Sequence, residues 1–219
     1  GLMKTEKVML ASFELRPVSS CQRAIRQTLG GNNPSPGFIE SWVSKADEKL
    51  YLYDQQGVVT PETVLEVVYY ASEKLKCSNI ILDSLMKCGV AEDNYQQQKE
   101  FIDKLCIAAR DLKCHIHVIA HARKRSDDIM KPPSKHDVSG SANITNLVDN
   151  CMIIYRTDKD AKLESGKITQ EEYDVLPTTM VYCVKQRHYE WEGHWPFWFD
   201  SESLRFSQVN RVDRLANKY

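Results

Sequence analysis

Three short apolar runs each close on a residue able to do acid–base or metal chemistry: Glu14 after Met9–Phe13, Asp83 after Asn79–Leu82, and His121 after His115–Ala120. An aspartate at the carboxyl end of a buried parallel strand sits where ligands bind in open α/β sheets. In a nucleotide hydrolase that acid holds a magnesium ion, usually through water, and the metal bridges the phosphates. A glutamate ending a second core strand complements it, polarising the attacking water while the aspartate serves the metal. A histidine ending a third strand can touch the terminal phosphate and pass its presence to the loop that follows, as a two-state switch requires. Each residue also has a plain alternative. Asp83 suits a helix cap or turn, Glu14 an acid at a helix start favoured by the helix dipole, and His121 a satisfied histidine at a core rim. Their shared position at strand ends makes the chemical reading worth pursuing.

Two more segments carry chemistry. Asp137–Ile144 (Asp-Val-Ser-Gly-Ser-Ala-Asn-Ile) is small and polar, so its backbone amides can approach phosphate oxygens, and helix starts favour anions. Val184-Lys185-Gln186-Arg187 places lysine and arginine two apart on a strand, hence on one side. A rigid guanidinium there can stabilise phosphoryl-transfer charge on a neighbouring subunit's nucleotide. His115 and His117 alternate with apolar neighbours and could mimic a metal pair, but no third ligand accompanies them, so they are read as structural.

A parallel sheet is needed to bring the strand-end residues together. Lys7–Phe13, Leu50–Tyr53, Asn79–Leu82 and His115–Ala120 read as strands. Between them Pro17–Thr28 reads as a helix closed by Gly30–Gly31, and Asn32–Gly37 as a turn-rich loop. Thr60-Pro61 pairs a capping hydroxyl with proline at the first helical position, ahead of Val64, Val67, Val68, Ala71 and Leu75 on one face. A longer helix over Asp93–Lys113 sets Ile102, Leu105, Cys106, Ala109 and Leu112 inward. Alternating helices and nearly continuous apolar strands predict a parallel sheet covered on both faces. After Arg123–His136, a basic segment containing Pro132–Pro133, the pattern changes. Asn150–Arg156, Thr179–Arg187, Phe197–Asp200 and Leu204–Val209 read as strands, antiparallel at one edge, around a charged excursion at Asp158–Asp174 with a short helix. The 219 residues suit a single domain.

Composition narrows the function. The chain is 42% hydrophobic and 27% charged with net charge −1, which argues against a protein coated with nucleic acid but permits a local basic loop. No apolar run approaches the roughly 18–20 residues needed to span a bilayer, so no membrane partner is expected. Charge interrupts the first ten residues, unlike a signal peptide. The seven cysteines form no C-x-x-C pair, and their number is odd. They read as reduced, small hydrophobes in a reducing compartment.

The order of these segments resembles the RecA-like motor domain of DnaB-type replicative helicases, over roughly Lys7 to Gln208. Ser12-Phe13-Glu14-Leu15-Arg16-Pro17 is similar to the family segment carrying the catalytic glutamate, Asn79–Asp83 to its Walker B strand, and Lys185-Gln186-Arg187 to its arginine-finger motif. The resemblance implies an α/β, RecA-like, mostly parallel sheet with antiparallel strands at the C-terminal edge. It implies a magnesium-dependent motor using ATP or dTTP, working as a ring of identical subunits, a hexamer, on single-stranded DNA. A primase or loader is a further implied partner, and a bacterial or phage-infected cytoplasm the setting. Glu14 would activate water, Asp83 would hold magnesium through water, and Ser12 would contribute to cofactor binding. His121 would sense the terminal phosphate, and Arg187 would reach the next subunit with Lys185 assisting. Arg123, Lys124, Arg125, Lys131 and Lys135, with Gly140, Ser141 and Asn143, would face DNA in the central channel, contacting backbone more than bases.

The sequence departs from the family at three places. Bacterial members usually carry glutamine where His121 stands, so this residue is similar to phage primase-helicases and the Twinkle type. Ala142 replaces the second glycine of a Gly-Ser-Gly turn. No G-x-x-x-x-G-K-[ST] occurs, although in the family that loop lies just before the Lys7–Phe13 strand. The expectation is an N-terminally truncated motor domain that hydrolyses no nucleotide by itself, since nothing cradles the phosphates. Two other classes stay open: a RecA-fold ATPase that is not a helicase (KaiC-like or recombinase-like), and a binding or assembly module that has lost its phosphate loop.

Overall fold

The structure is a computed structural model that describes residues 3, 5–91, 93–121, 134 and 142–209, the side chains of residues 142 and 143 excepted. The chain divides into two compact units. The first comprises the described residues of Gly1–Ile25, Pro34–Ser126 and His136–Val148; the second those of Arg26–Asn33, Asp127–Lys135 and Asp149–Tyr219.

The first unit is built on four parallel strands in the order β2-β1-β3-β4, where β1 is Val8–Ser12, β2 Leu50–Leu52, β3 Asn79–Asp83 and β4 His115–Ile119. The register sets Met9 beside Ile80 and Ala11 beside Leu82, with Ile116 and Val118 continuing the row on β4. Because side chains alternate along a strand, these residues share one face. Helices α3 (Pro61–Glu73) and α4 (Tyr95–Asp111) close over it, burying Val64, Val68, Ala71, Phe101, Ile102, Leu105 and Ala108. On the other face Leu50, level with Val8, packs against Ile25, Trp42 and Ala46 of α1 (Pro17–Leu29) and α2 (Pro36–Ala46). Helices therefore lie on both faces, as the sequence predicts, although His115 and Ile119 on β4 remain exposed.

Local chemistry explains the helix starts. Thr60 adopts extended backbone and its hydroxyl accepts the amide of Thr63, with Pro61 at the first helical position. Ser35 and Pro36 begin α2 in the same way, Ser35 Oγ accepting from the Phe38 amide. The expected loop over residues 32–37 thus ends at Ser35, and a helix not evident from the residue pattern follows. The inward face of α4 is also turned by a residue from expectation. Phe101 and Ala108 are buried, and Gln98 joins them by donating its side-chain amide to the Ala91 carbonyl at 2.7 Å.

The second unit carries an antiparallel sheet, β5-β6-β7-β8, formed by Asn150–Arg156, Thr179–Gln186, Gly193–Asp200 and Arg205–Ser207. The charged excursion folds as two short helices, α6 (Lys159–Glu164) and α7 (Gln170–Val175), rather than one. Lys159 joins them. It is buried, and its Nζ donates to the carbonyls of Tyr173 and Leu176 at 3.0 and 2.9 Å, which satisfies carbonyls at the end of α7. Between β4 and the short helix α5 (Ala142–Leu147), whose Ile144 enters the core of the first unit, lies the basic segment. Among the described residues no helix is long and apolar enough to cross a membrane.

Candidate active site

The sheet order puts β3 between β1 and β4, so residues leaving the carboxyl ends of these neighbours arrive side by side. The exits are tied together by backbone: the Phe13 amide donates to the Asp83 carbonyl at 2.8 Å. Ser12, at the last position of β1, lies level with Asp83, at the last position of β3. Its hydroxyl donates to Asp83 Oδ2 at 3.0 Å and accepts the Leu15 amide at 3.2 Å. Ser12 is therefore buried behind Asp83 and orients that carboxylate.

Glu14 and His121 converge beside it. His121 Nε2 lies 3.7 Å from Glu14 Oε1, with side chains 52% and 37% exposed, so the pair is open to solvent and to a ligand. A separation of this size is too long for a hydrogen bond. It becomes an ion pair when the imidazole is protonated. The same Oε1 accepts a hydrogen bond from Ser84 Oγ at 3.0 Å. Ser84 is fully buried, and nothing in the residue pattern singles it out. Glu14, Asp83 and His121, predicted separately from three strand ends, are thus brought to one edge of one sheet.

The Asp83 carboxylate is a donor that would suit a magnesium ion held mainly by waters and a ligand's phosphates. Asp83 offers Oδ1, which has no protein hydrogen bond among the described residues, while Oδ2 is fixed by Ser12. Among the described residues no group of three histidine, cysteine or acidic side chains could hold a metal alone. Magnesium does not require such a cage, since it typically keeps several waters and binds one or two carboxylates plus substrate phosphates. His115 and His117 stack with ring centroids 4.2 Å apart, and His117 Nε2 lies 3.3 Å from Asn79 Oδ1.

Arg187 belongs to the second unit. The strand β6 stops at Gln186, one residue before the expected end, and a register shift between Cys151 and Met152 bulges the ladder there. Backbone pairing continues for one step, the Arg187 amide donating to the Asp149 carbonyl at 2.8 Å. The guanidinium Nη1 meets Asp149 Oδ1 at 2.7 Å, with both side chains close to half exposed. Lys185 lies on β6 level with Cys151. Arg123, Lys124, Arg125, Lys131, Lys135, Gly140 and Ser141 lie outside the described residues, as does the side chain of Asn143, whose backbone is in α5.

Two solved structures share this fold along nearly the whole chain. One, solved as a DnaB-like replicative helicase and its interactions with primase, matches with a TM-score of 0.73 at 16% identity, over 94% of this chain and 51% of that one. The other, the ATPase domain of a second helicase, matches with a TM-score of 0.75, also at 16% identity, over 95% of this chain and 76% of that one. The chain spans about half the length of the first of these. No family model matches the sequence. At such identity the likeness fixes the fold, a RecA-like one shared with DnaB-like helicase ATPase domains, and leaves the chemistry to be argued from residues.

Proposed function

We propose that the parent protein is a nucleoside-triphosphate-driven ring helicase that couples hydrolysis to movement on single-stranded DNA. The observation carrying this reading is the meeting of Glu14 and His121, from strands on either side of β3, 3.7 Å apart beside the Asp83 carboxylate. Asp83 would hold magnesium through water, and that ion would supply charge neutralisation for the phosphates of ATP or dTTP. Glu14 takes a proton from the attacking water. His121 faces the terminal phosphate, and its distance to Glu14 lets the loss of that phosphate be felt at the base. Arg187, with Lys185, serves the nucleotide of an adjoining subunit, six subunits closing the ring. The basic residues after His121, Arg123 and Lys124 foremost, and the turn at Gly140, Ser141 and Asn143 track the DNA backbone with little base readout. A primase or a loader is the expected further partner, by analogy with the helicase solved for its interactions with primase.

The test is Glu14→Gln in the parent protein. Glutamine keeps size and hydrogen bonding but cannot accept the proton, so nucleotide affinity should persist while hydrolysis falls by about 10²–10⁴-fold. Phosphate release and nucleotide binding, measured side by side, check this. A fall in rate below about tenfold returns Glu14 to an ordinary helix-start acid.

A further inference from the structure

The fully buried Ser84 follows Asp83 and caps a one-turn 3-10 helix, Leu85–Lys87. A serine at a helix start ordinarily turns its oxygen onto an amide of its own first turn. Ser84 makes no such bond. Its hydroxyl instead donates across the site to Glu14 Oε1 at 3.0 Å.

Everything around the residue holds it there. The Ser84 carbonyl accepts the Lys87 amide at 2.9 Å and the Cys88 thiol at 3.5 Å. Cys88 is itself fully buried, and burial pushes its thiol up to about 12, so it remains an S–H donor at neutral pH. Glu14, by contrast, stands at the rim with more than a third of its side chain exposed. Left to itself, a glutamate so exposed would sample several rotamers.

We infer that Ser84 is a positioning residue for hydrolysis, pinning Oε1 of Glu14 so that Oε2 is presented to the attacking water. His121 Nε2 faces the pinned oxygen at 3.7 Å. The carboxylate thus has one oxygen turned toward the protein and the other left for the proton of water. The inference rests on the reading of Glu14 as general base.

Four variants of the parent protein test it: Ser84→Ala, Ser84→Thr, Glu14→Gln and the Glu14→Gln/Ser84→Ala double. Misplacing a reacting group by an ångström can cost about 10²-fold, so Ser84→Ala should lower kcat by about 10- to 100-fold with KM little changed. Ser84→Thr, which keeps the donor, should restore most of the rate. In the Glu14→Gln background Ser84→Ala should cost nothing further, because the group it positions no longer acts. Should the alanine variant fail to fold, Ser84→Gly, which also lacks the hydroxyl, carries the same comparison. Full kcat in Ser84→Ala or Ser84→Gly, with Glu14→Gln inactive, overturns the positioning role and leaves the base in place. An equal loss from Ser84→Ala with and without Glu14 also overturns it, since a purely structural role would give that pattern. Normal hydrolysis by Glu14→Gln defeats instead the reading on which it rests.

Discussion

Single residues in this protein differ more by what surrounds them than by type. The two acids that begin the chemical argument are held differently: Asp83 by the hydroxyl of Ser12 on the neighbouring strand, Glu14 by the hydroxyl of Ser84. The histidines show the same contrast. His121 stands in the open at the strand exits, whereas His117, on β4, packs against His115 and Asn79. Burial above all, and then the charge of His115, hold His117 below the usual histidine range. The fold therefore favours the neutral ring. As pH falls, the unfolded chain takes up this proton before the folded one does. The stabilisation is complete above the ordinary histidine value of about 6.5 and is lost as pH drops below it toward the depressed folded value. Thermal melts at about pH 7.5 and about pH 5.5 should show lower stability in acid, with the difference reduced in His117→Gln. An unchanged difference would move the acid sensitivity to other groups.

At the scale of elements, the turn after β3 must aim Ser84 while returning the chain toward α4. Its seat depends on Gly89, whose φ of +68° is one that side chains with a Cβ rarely adopt. A Cβ there would also lie 2.6 Å from the Val59 carbonyl oxygen, on backbone that pairs with this turn through Val59 N and the Lys87 carbonyl. Gly89→Ala should therefore destabilise the protein by about 1–3 kcal/mol, from left-handed strain and backbone displacement together. Chemical denaturation measures this, and a change under about 0.5 kcal/mol would show that the turn relaxes freely. The parts of this architecture legible in the sequence are those set by local pattern. Short apolar runs closing on polar residues mark β1, β3 and β4, and Thr60–Pro61 marks α3, because periodicity and capping act within a few residues. Ser84 is not legible in this way. Whether a hydroxyl closes its own turn or reaches a carboxylate 70 residues away is decided by backbone direction in three dimensions. Helix α2 is hidden for another reason: Pro34, Pro36 and Gly37 in close succession imitate a turn, and only the Ser35–Pro36 cap betrays the start.

For the whole molecule the question is whether Arg187, in a different compact unit from Glu14, Asp83 and His121, serves the proposed reaction. Asp149 is one partner of its guanidinium, in a pair close to half exposed on both sides. Such surface pairs are worth about 0–1 kcal/mol, so exchanging this one for a phosphate costs little. A finger acting between subunits is instead worth roughly 10³-fold or more in rate. If Arg187 serves an adjoining subunit, a subunit carrying Arg187→Ala still offers a complete set of acids to its own nucleotide and fails only its neighbour. A subunit carrying Glu14→Gln has the opposite defect. Each full-length variant should be nearly inactive alone, yet randomly mixed rings contain interfaces that pair an intact Glu14 with an intact Arg187. Part of the hydrolysis should return on mixing, with a maximum at intermediate ratios. Mixed rings that form but stay inactive at every ratio would mean that Arg187 acts within its own subunit or that all sites must fire together. Normal hydrolysis by Arg187→Ala alone would rule out a finger role for this arginine.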